Sequence, residues 1–238
     1  MLRVLVTRPE PGASRTMRRL EAMGCQPILL PLTATVALPV GASADAGDAV
    51  AVAITSANAV RHAPKELIAA LAALPCHAVG KRTADAARKA GFRSVSEGPG
   101  DAVALADMIA AAHPASTILY LTGRVRFPAF EESLQAAGVR VRAIETYDTI
   151  ALSYSDADVV ARLSGLPVEA ILLYSAKAAA AANALMAKPA LRDLFEKAGF
   201  FALSGRIAAA LDGVAPERIR IAAEPQEEAL LSLLRAGR

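Results

Sequence analysis

The sequence of 238 residues contains no tryptophan, and aromatic residues make up only 4% of it. The hydrophobic core must therefore be aliphatic, built mainly from alanine, leucine, valine and isoleucine. Cys25 and Cys76 are too few for a disulfide framework and lack the spacing of a metal site. The three histidines, His62, His77 and His113, are scattered, and none has a second histidine or a cysteine at ligand spacing. We therefore expect no metal centre and, more generally, a cofactor-poor protein.

A strong net charge and long hydrophobic runs are lacking as well. Lys and Arg total 26 and Asp and Glu total 23, so the formal net charge is only +3, too mild for a dedicated DNA-binding protein. No stretch approaches the roughly 20 apolar residues that a membrane-spanning helix needs. Met1–Thr7 has the pattern of a strand and leaves no room for a secretion signal. These absences predict a soluble, cytoplasmic protein that binds neither nucleic acid nor membranes.

Short strand-like runs alternate with amphipathic helical stretches along nearly the whole chain. Arg3–Thr7 and Ala51–Thr55 are examples of the predicted strands, and Thr83–Ala90 and Ala102–Ala112 of the helices. Glycines are predicted to end four of the helices: Gly24, Gly91, Gly138 and Gly199. Such alternation is typical of α/β folds, in which helices cover both faces of parallel sheets.

The second half of the chain repeats motifs of the first half in the same order. The offsets lie between about 115 and 127 residues, as expected for duplication of a half-chain. The pairs are Leu5–Arg8 with Tyr120–Arg124, Ile54–Ala57 with Leu173–Ala176, Ala78–Arg82 with Ala202–Arg206, and Glu97–Pro99 with Glu224–Pro225. Two related halves in one chain predict two lobes, each with a parallel five-stranded sheet in flavodoxin-like order.

Two extended, β-prone segments follow equivalent strands of the two halves and are interpreted as connectors between the lobes. They comprise residues 34–39 and 146–151. Residues 1–33 and 152–238 would then form one discontinuous lobe, and residues 40–145 the other. This interleaving rests on topology and on the family resemblance given below.

Candidate site residues follow the main predicted strands, because ligands of open parallel sheets bind beyond the carboxyl ends of the strands. Five of six such turns carry a cation beside a small or hydroxyl residue, where a helix start can bind an anion. The alternative is that these residues cap helices and that the cations are solvated. The candidates are Arg8, Thr55, Ser56, Asn58, Gly80, Lys81, Arg82, Thr83, Gly123, Arg124, Ser175, Ala176, Lys177, Ser204 and Arg206.

Familiar catalytic and nucleotide-binding motifs are missing. No turn matches GxGxxG, GxxxxGK[ST] or GxSxG, which disfavours a nucleotide ligand and a serine nucleophile. Gly98–Asp101 is predicted to be a turn leading into a helix capped by Asp101. Tyr147 lies in a predicted connector, where its phenol could protonate a leaving oxygen or its ring could serve as a packing residue. Tyr120 and Tyr174 are predicted core residues.

Along nearly its whole length the chain resembles the uroporphyrinogen-III synthase family. The resemblance depends on the order and spacing of several motifs rather than on any single one. They are Val4–Pro9, Ile54–Val60, Ala78–Gly80, Thr83, Ala86–Phe92, Glu145–Thr149, Leu173–Ala176 and Ala223–Pro225. The turn at Ser204–Arg206 departs from the Thr-rich stretch often found in the family, so Arg206 is a substitute candidate for contact with a carboxylate.

The resemblance implies a cofactor-free lyase that closes hydroxymethylbilane, a linear tetrapyrrole with eight carboxylates, with loss of water and inversion of ring D. In the family, backbone amides and hydroxyls of two lobes hold the carboxylates, and a tyrosine is the favoured acid. By motif position that tyrosine is Tyr147. We also expect a monomer that receives its substrate by transient hand-over from the preceding enzyme. The alternative from another class is a non-catalytic two-lobed binding protein for a small polyanion.

Overall fold

The computed structural model describes residues 1–41, 46–126 and 128–235; residues 42–45, 127 and 236–238, which fall within the predicted lobes, lie outside the description. The strands in these ranges are β1 (Arg3–Val6), β2 (Gln26–Leu29), β3 (Thr33–Ala37), β4 (Ala49–Ile54), β5 (Cys76–Ala78), β6 (Val95–Glu97), β7 (Thr117–Gly123), β8 (Arg140–Ala151), β9 (Ala170–Leu173), β10 (Gly199–Ala202) and β11 (Ile219–Ile221). The α-helices are α1 (Gly12–Ala22), α2 (Ala57–Arg61), α3 (Lys65–Leu71), α4 (Lys81–Ala90), α5 (Ala102–Ala112), α6 (Ala129–Ala136), α7 (Asp156–Leu163), α8 (Ala176–Met186), α9 (Arg192–Phe195), α10 (Gly205–Ala208) and α11 (Glu227–Ser232).

The chain divides into two compact units, each with its own sheet and its own core. Unit 1 comprises Met1–Ala34 and Ile150–Arg238, and unit 2 comprises Thr35–Thr149. In both units, helices connect the parallel strands along the chain. The predicted two-lobed α/β fold is therefore confirmed.

The sheet of unit 1 contains five parallel strands in the order β2-β1-β9-β10-β11. Counted along this unit the order is 2-1-3-4-5, the flavodoxin-like arrangement. Alternate residues of β1 pack on opposite faces: Leu5 joins Ile171 and Phe200 in one apolar cluster, and Val4 joins Leu172 in another. Because both faces are covered, the buried part of β1, Val4–Val6, is a continuous apolar run without polar alternation.

The sheet of unit 2 has the order β3-β8-β7-β4-β5-β6, in which the strands from β8 to β6 are parallel. β3 is a sixth strand beyond the five predicted, and it lies beside β8 at the edge. The backbone N–H of Leu38, just after β3, donates to the carbonyl of Thr146 at 2.9 Å. An extended segment needs partners for its backbone polar groups, and here two such segments supply them to each other.

Strands that share sequence motifs occupy equivalent positions in the two sheets. Unit 1 runs β11-β10-β9-β1-β2, and the parallel part of unit 2 runs β6-β5-β4-β7-β8. The motif-sharing strands β10 and β5, β9 and β4, and β1 and β7 therefore correspond. Each sheet combines strands from both sequence repeats.

Most of the predicted helix ends agree with the structure. Gly24, Gly91 and Gly138 follow α1, α4 and α6 with positive φ angles of 73°, 120° and 77°, as expected for residues that end helices. The prediction at Gly199 is wrong: α9 ends at Phe195, and Gly199 is the first residue of β10, paired with β9. Within the described ranges, every helix is too short or too polar to cross a membrane.

Candidate active site

The predicted site residues lie at the carboxyl ends of parallel strands in both units. One set gathers at the edge of the unit 2 sheet, after β4, β5 and β7 and within β8: Thr55, Ser56, Asn58, Gly80, Lys81, Arg82, Thr83, Gly123, Arg124 and Tyr147. The other set gathers at the edge of the unit 1 sheet, after β1, β9 and β10: Arg8, Ser175, Ala176, Lys177, Ser204 and Arg206.

The turn after β4 is held by its own polar side chains. Ser56 caps α2, because its Oγ accepts the backbone N–H of Asn58 at 3.3 Å. The hydroxyl of Thr55 lies 2.6 Å from that of Tyr120, a fully buried residue as predicted. Asn58 accepts a hydrogen bond from Arg61 at 3.3 Å. This turn therefore presents half-buried polar groups in fixed positions.

The turn after β5 leads into α4 without a side-chain cap. Gly80 occupies the N-cap position, Lys81 and Arg82 of the first turn are exposed, and Thr83 is buried. A helix start without a side-chain cap, with cations beside it, is suited to a carboxylate or another anion.

The neighbouring turn at Gly98–Asp101 is the predicted helix-entry turn, and the structure confirms it. Asp101 caps α5 by accepting the backbone N–H groups of Val103 and Ala104 at 2.9 and 3.0 Å. The N–H of Gly100 donates to the carbonyl of Val79 at 2.6 Å, which fixes this turn against the end of β5. The turn is thus structural and borders the start of α4.

Tyr147 lies opposite Gly123, at the carboxyl end of β7. Its ring packs against the apolar cluster of unit 2 and lies 6.1 Å from the ring of His62, centroid to centroid. Burial lowers the pKa of His62, and the charge of Arg61 adds to the effect. Among the described residues, the Tyr147 hydroxyl has no hydrogen-bond partner. The ring is therefore a packing residue of this cluster, and the role of the hydroxyl stays a prediction.

Arg124 follows Gly123 and is already paired with carboxylates of β8. Its Nε donates to Glu145 at 3.2 Å, and its Nη1 lies 3.7 Å from the carboxylate of Asp148. Glu145 also accepts a hydrogen bond from Arg126 at 3.0 Å. A substrate carboxylate at this edge would have to share or displace these partners.

In unit 1, Arg8 belongs to a polar cluster centred on Glu227, the first residue of α11. Arg8 Nη1 lies 3.0 Å from Glu227 Oε1, and its guanidinium lies over the ring of Tyr174, 4.1 Å from the centroid. Glu227 also accepts hydrogen bonds from Arg19 at 3.1 Å, from the Tyr174 hydroxyl at 3.1 Å and from Thr16. Arg8 is therefore held in place by a carboxylate of the protein itself.

Burial and hydrogen bonding shift both acidic groups of this cluster. Burial alone would raise the pKa of Glu227, but the hydrogen bond from Thr16 and the charge of Arg8 outweigh it and hold that pKa below its ordinary value. Burial raises the pKa of Tyr174 to about 12. At neutral pH the cluster contains a carboxylate and a protonated phenol.

The remaining candidates of unit 1 stand at two helix starts. Ser175 caps α8 by accepting the N–H of Ala178 at 3.1 Å, and Ala176 and Lys177 are the first two residues of that helix. Ser204 is the N-cap of α10, whose second residue is the exposed Arg206. Both turns place a serine and a cation at the same sheet edge as Arg8.

Sequence reasoning missed the carboxylate that pairs with Arg8, although the Glu224-Pro225 motif stands just before it. The sequence predicts Tyr174 in the core, yet its hydroxyl joins this polar cluster. Tyr120 is buried as expected. No group of three or more His, Cys, Asp or Glu side chains in the described part of the chain is arranged to hold a metal ion.

Comparison with known proteins gives one family match and several similar solved structures. The family model of uroporphyrinogen-III synthase HemD matches residues 14–232. The uroporphyrinogen-III synthetase of Helicobacter pylori has 18% identity, with 100% of this chain and 99% of that one covered and a TM-score of 0.63. A mutant uroporphyrinogen III synthase of the extremely thermophilic bacterium Thermus thermophilus has 20% identity, coverage of 100% and 97%, and a TM-score of 0.53. No curated protein sequence matches the chain significantly. At these identities the solved structures support the fold.

Proposed function

The chain belongs to the uroporphyrinogen-III synthase family, the hydro-lyases of porphyrin biosynthesis, and we propose that its substrate is hydroxymethylbilane, which it closes to uroporphyrinogen III with inversion of ring D. The match of the family model to residues 14–232 is the observation that carries this proposal. Two sheet edges with hydroxyls, cations and helix starts support it, because the substrate has carboxylates along its whole length.

In the proposed reaction the phenol of Tyr147 donates its proton to the terminal hydroxyl of the substrate. The C–O bond then breaks, water leaves with the bonding electrons, and a pyrrole nitrogen supplies electron density to the resulting cation. The α-carbon of ring D that carries the bridge to ring C attacks this cation and forms a spiro intermediate. The bond from ring D to that bridge carbon then breaks, and the bridge carbon bonds to the other α-carbon of ring D, which inverts the ring. Loss of the proton from this second carbon restores the pyrrole and returns a proton to the phenolate. The other role of the protein is to hold one substrate conformation, since the substrate also closes unaided to the type I isomer.

Formation of the type III isomer is the direct test of this function. Purified protein is given freshly generated hydroxymethylbilane, and the products are oxidised and separated by isomer. We expect type III in excess with the folded chain and only type I with heat-denatured chain. Only type I product with folded protein would reject the proposed function. If the substrate were bound but only type I formed, the non-catalytic polyanion-binding alternative would be favoured.

Replacement of Tyr147 by Phe tests the proton donor separately. Positioned general acids contribute roughly 10²–10⁴-fold to rates, so we expect kcat to fall by about 100-fold with little change in KM. Tyr154→Phe is the matched control, because it removes a hydroxyl that donates to the carbonyl of Pro31 at 2.8 Å in unit 1. Full activity of Tyr147→Phe would exclude this residue as the acid and leave the overall function standing.

The wider proposals concern substrate delivery and assembly. We propose that the chain acts as a monomer and receives its labile substrate by transient hand-over from the enzyme that makes it. Delivery of this kind would limit the unaided closure to the type I isomer. A coupled assay with the supplying enzyme should then give less type I product than pre-formed substrate at the same flux.

A further inference from the structure

The ring of Tyr147 lies flat against the backbone of Gly123. A Cβ atom added at Gly123 would stand 2.6 Å from Tyr147 Cζ, 2.8 Å from Cε2 and 3.0 Å from Cε1. Gly123 is the last residue of a regular strand and has no positive φ angle. Its backbone conformation therefore does not require glycine, whereas the space taken by the tyrosine ring does.

An irregularity in strand pairing brings the ring to this place. Thr122 pairs with Glu145, but the next residue, Gly123, pairs with Tyr147, so Thr146 is an extra residue in β8. Two residues opposite one form a β-bulge, which can redirect the side chains that follow it.

The bulge changes the face of the sheet on which Tyr147 lies. Residues three apart in a regular strand point to opposite faces. Ile144 and Tyr147 nevertheless pack against the same apolar cluster, while Val141 and Ala143 pack against the cluster on the other face. Without the bulge, Tyr147 would point to the face of Val141 and Ala143, away from Gly123.

Thr146 fixes the bulge from within. It is fully buried, and its hydroxyl donates to the carbonyl of Ala59 in α2 at 2.7 Å, with a longer contact of 3.4 Å to the carbonyl of Thr122. On the far side, the backbone N–H of Arg124 donates to the carbonyl of Tyr147 at 2.9 Å. Together with the N–H of Leu38, which donates to the carbonyl of Thr146 at 2.9 Å, these hydrogen bonds hold the backbone immediately before and at Tyr147.

We propose that Gly123 and Thr146 are positioning residues for the phenol of Tyr147: the glycine leaves room for the ring, and the threonine holds the bulge that turns it to that face. The sequence assigns Gly123 only to a substrate-binding turn, and it assigns no role to Thr146. The inference rests on the proposed function for its catalytic consequence. The packing of the ring on Gly123 is itself a property of the fold and can be measured without substrate.

The kinetic test compares Gly123→Ala, Thr146→Val and Thr146→Ser. Misplacement of a reacting group by about 1 Å can cost two orders of magnitude in rate. We therefore expect Gly123→Ala and Thr146→Val to lower kcat by about tenfold or more with KM nearly unchanged. Thr146→Ser keeps the hydroxyl and should restore most of kcat. Combining Gly123→Ala with Tyr147→Phe should give a kcat no lower than that of Tyr147→Phe alone, because both changes act on the same group.

Thr117→Val is the control for loss of a buried hydroxyl. Thr117 lies at the opposite end of β7 and donates to Asp48 at 2.8 Å, so its loss should affect stability without lowering kcat. If Gly123→Ala and Thr146→Val lowered kcat no more than Thr117→Val, or multiplied the defect of Tyr147→Phe, the positioning role would be refuted.

A spectroscopic measurement separates this inference from the proposed function. Because an Hα of Gly123 lies over the ring, its NMR signal should be shifted upfield by the ring current and should return toward ordinary values in Tyr147→Leu. Absence of that shift in the unmodified chain would overturn the inference even if the chain makes type III product. Its presence in a chain that makes only type I would reject the function and retain the packing of the ring on Gly123.

Discussion

Replacement of Glu227 by Gln should destabilise unit 1 in a pH-dependent way. Glu227 Oε1 accepts from Arg8 at 3.0 Å and from Tyr174 at 3.1 Å, and Oε2 accepts from Arg19 at 3.1 Å. The amide oxygen of glutamine can take the place of Oε1, but the amide NH₂ group then takes the place of Oε2 and faces the Arg19 donor. The Glu227 side chain is only 14% exposed and that of Arg19 33%, so this contact is largely shielded from water.

The magnitude follows from the lost contact. A hydrogen bond to a charged group contributes about 1.5–3 kcal/mol, and we take about 2 kcal/mol for Glu227→Gln at pH 7. For a chain of 150–250 residues this corresponds to a fall in Tm of about 4–8 °C. Asp85→Asn is the control, because Asp85 and Arg88 form an ion pair with both side chains about half exposed. Such a pair contributes about 0.5 kcal/mol or less.

The pH dependence gives the sharper test. The folded-state pKa of Glu227 is held below its ordinary value, so its carboxylate stabilises the folded chain above the unfolded pKa of about 4.3. That contribution is lost as the pH falls through the folded pKa. Thermal unfolding by circular dichroism should therefore show a Tm gap between the unmodified chain and Glu227→Gln at pH 7 that narrows as the pH falls below the unfolded pKa of about 4.3. A gap that does not narrow as the pH falls below the unfolded pKa, or one no larger than that of Asp85→Asn at pH 7, would refute this reasoning.

Two further predictions concern buried groups. Burial raises the pKa of the Cys76 thiol to about 12. Iodoacetamide at pH 8 should therefore leave Cys76 unmodified in the folded chain and alkylate it in urea, as measured by mass spectrometry. Labelling of the folded chain at the rate of a free thiol would contradict this burial. Tyr174→Phe removes the hydroxyl that donates to Glu227 and should cost about 1 kcal/mol in urea unfolding. The cost should be smaller in the Glu227→Gln background, and an equal cost in both backgrounds would show that the two groups are not coupled.

Much of the fold could be predicted because it depends on local patterns. Strand–helix alternation predicts parallel sheets, and motifs repeated in the same order predict two lobes. The sixth strand of unit 2 could not be predicted in this way. Thr33–Ala37 forms β3 because β8 would otherwise be the edge strand of the sheet and can pair with it. A single sequence does not show which strand of a sheet is left at the edge.

The electrostatics of the candidate site were harder to predict, because charge pairing depends on distant residues. The sequence places Arg8 in a turn suited to an anion, and the structure keeps it at the carboxyl end of β1. Its partner Glu227 is 219 residues away in the chain, and only the completed sheet brings β1 and α11 together. Counting cations at turns therefore overstates the positive charge that a substrate carboxylate would meet there. Arg124, paired with Glu145 and Asp148, is a second example.

Tyr147 shows where motif and geometry each contribute. The motif Glu145–Thr149 identifies the tyrosine, but strict alternation along β8 would turn its ring away from Gly123. One extra residue, Thr146, reverses that direction, and its hydrogen bond to Ala59 stabilises the irregular backbone. A bulge depends on the pairing of two strands, so neither strand's sequence reveals it alone. The family motif identifies Tyr147, but strict alternation would put its side chain on the wrong face of the sheet. The pairing register of β7 and β8 therefore sets its position, and this register should depend on Gly123 and Thr146.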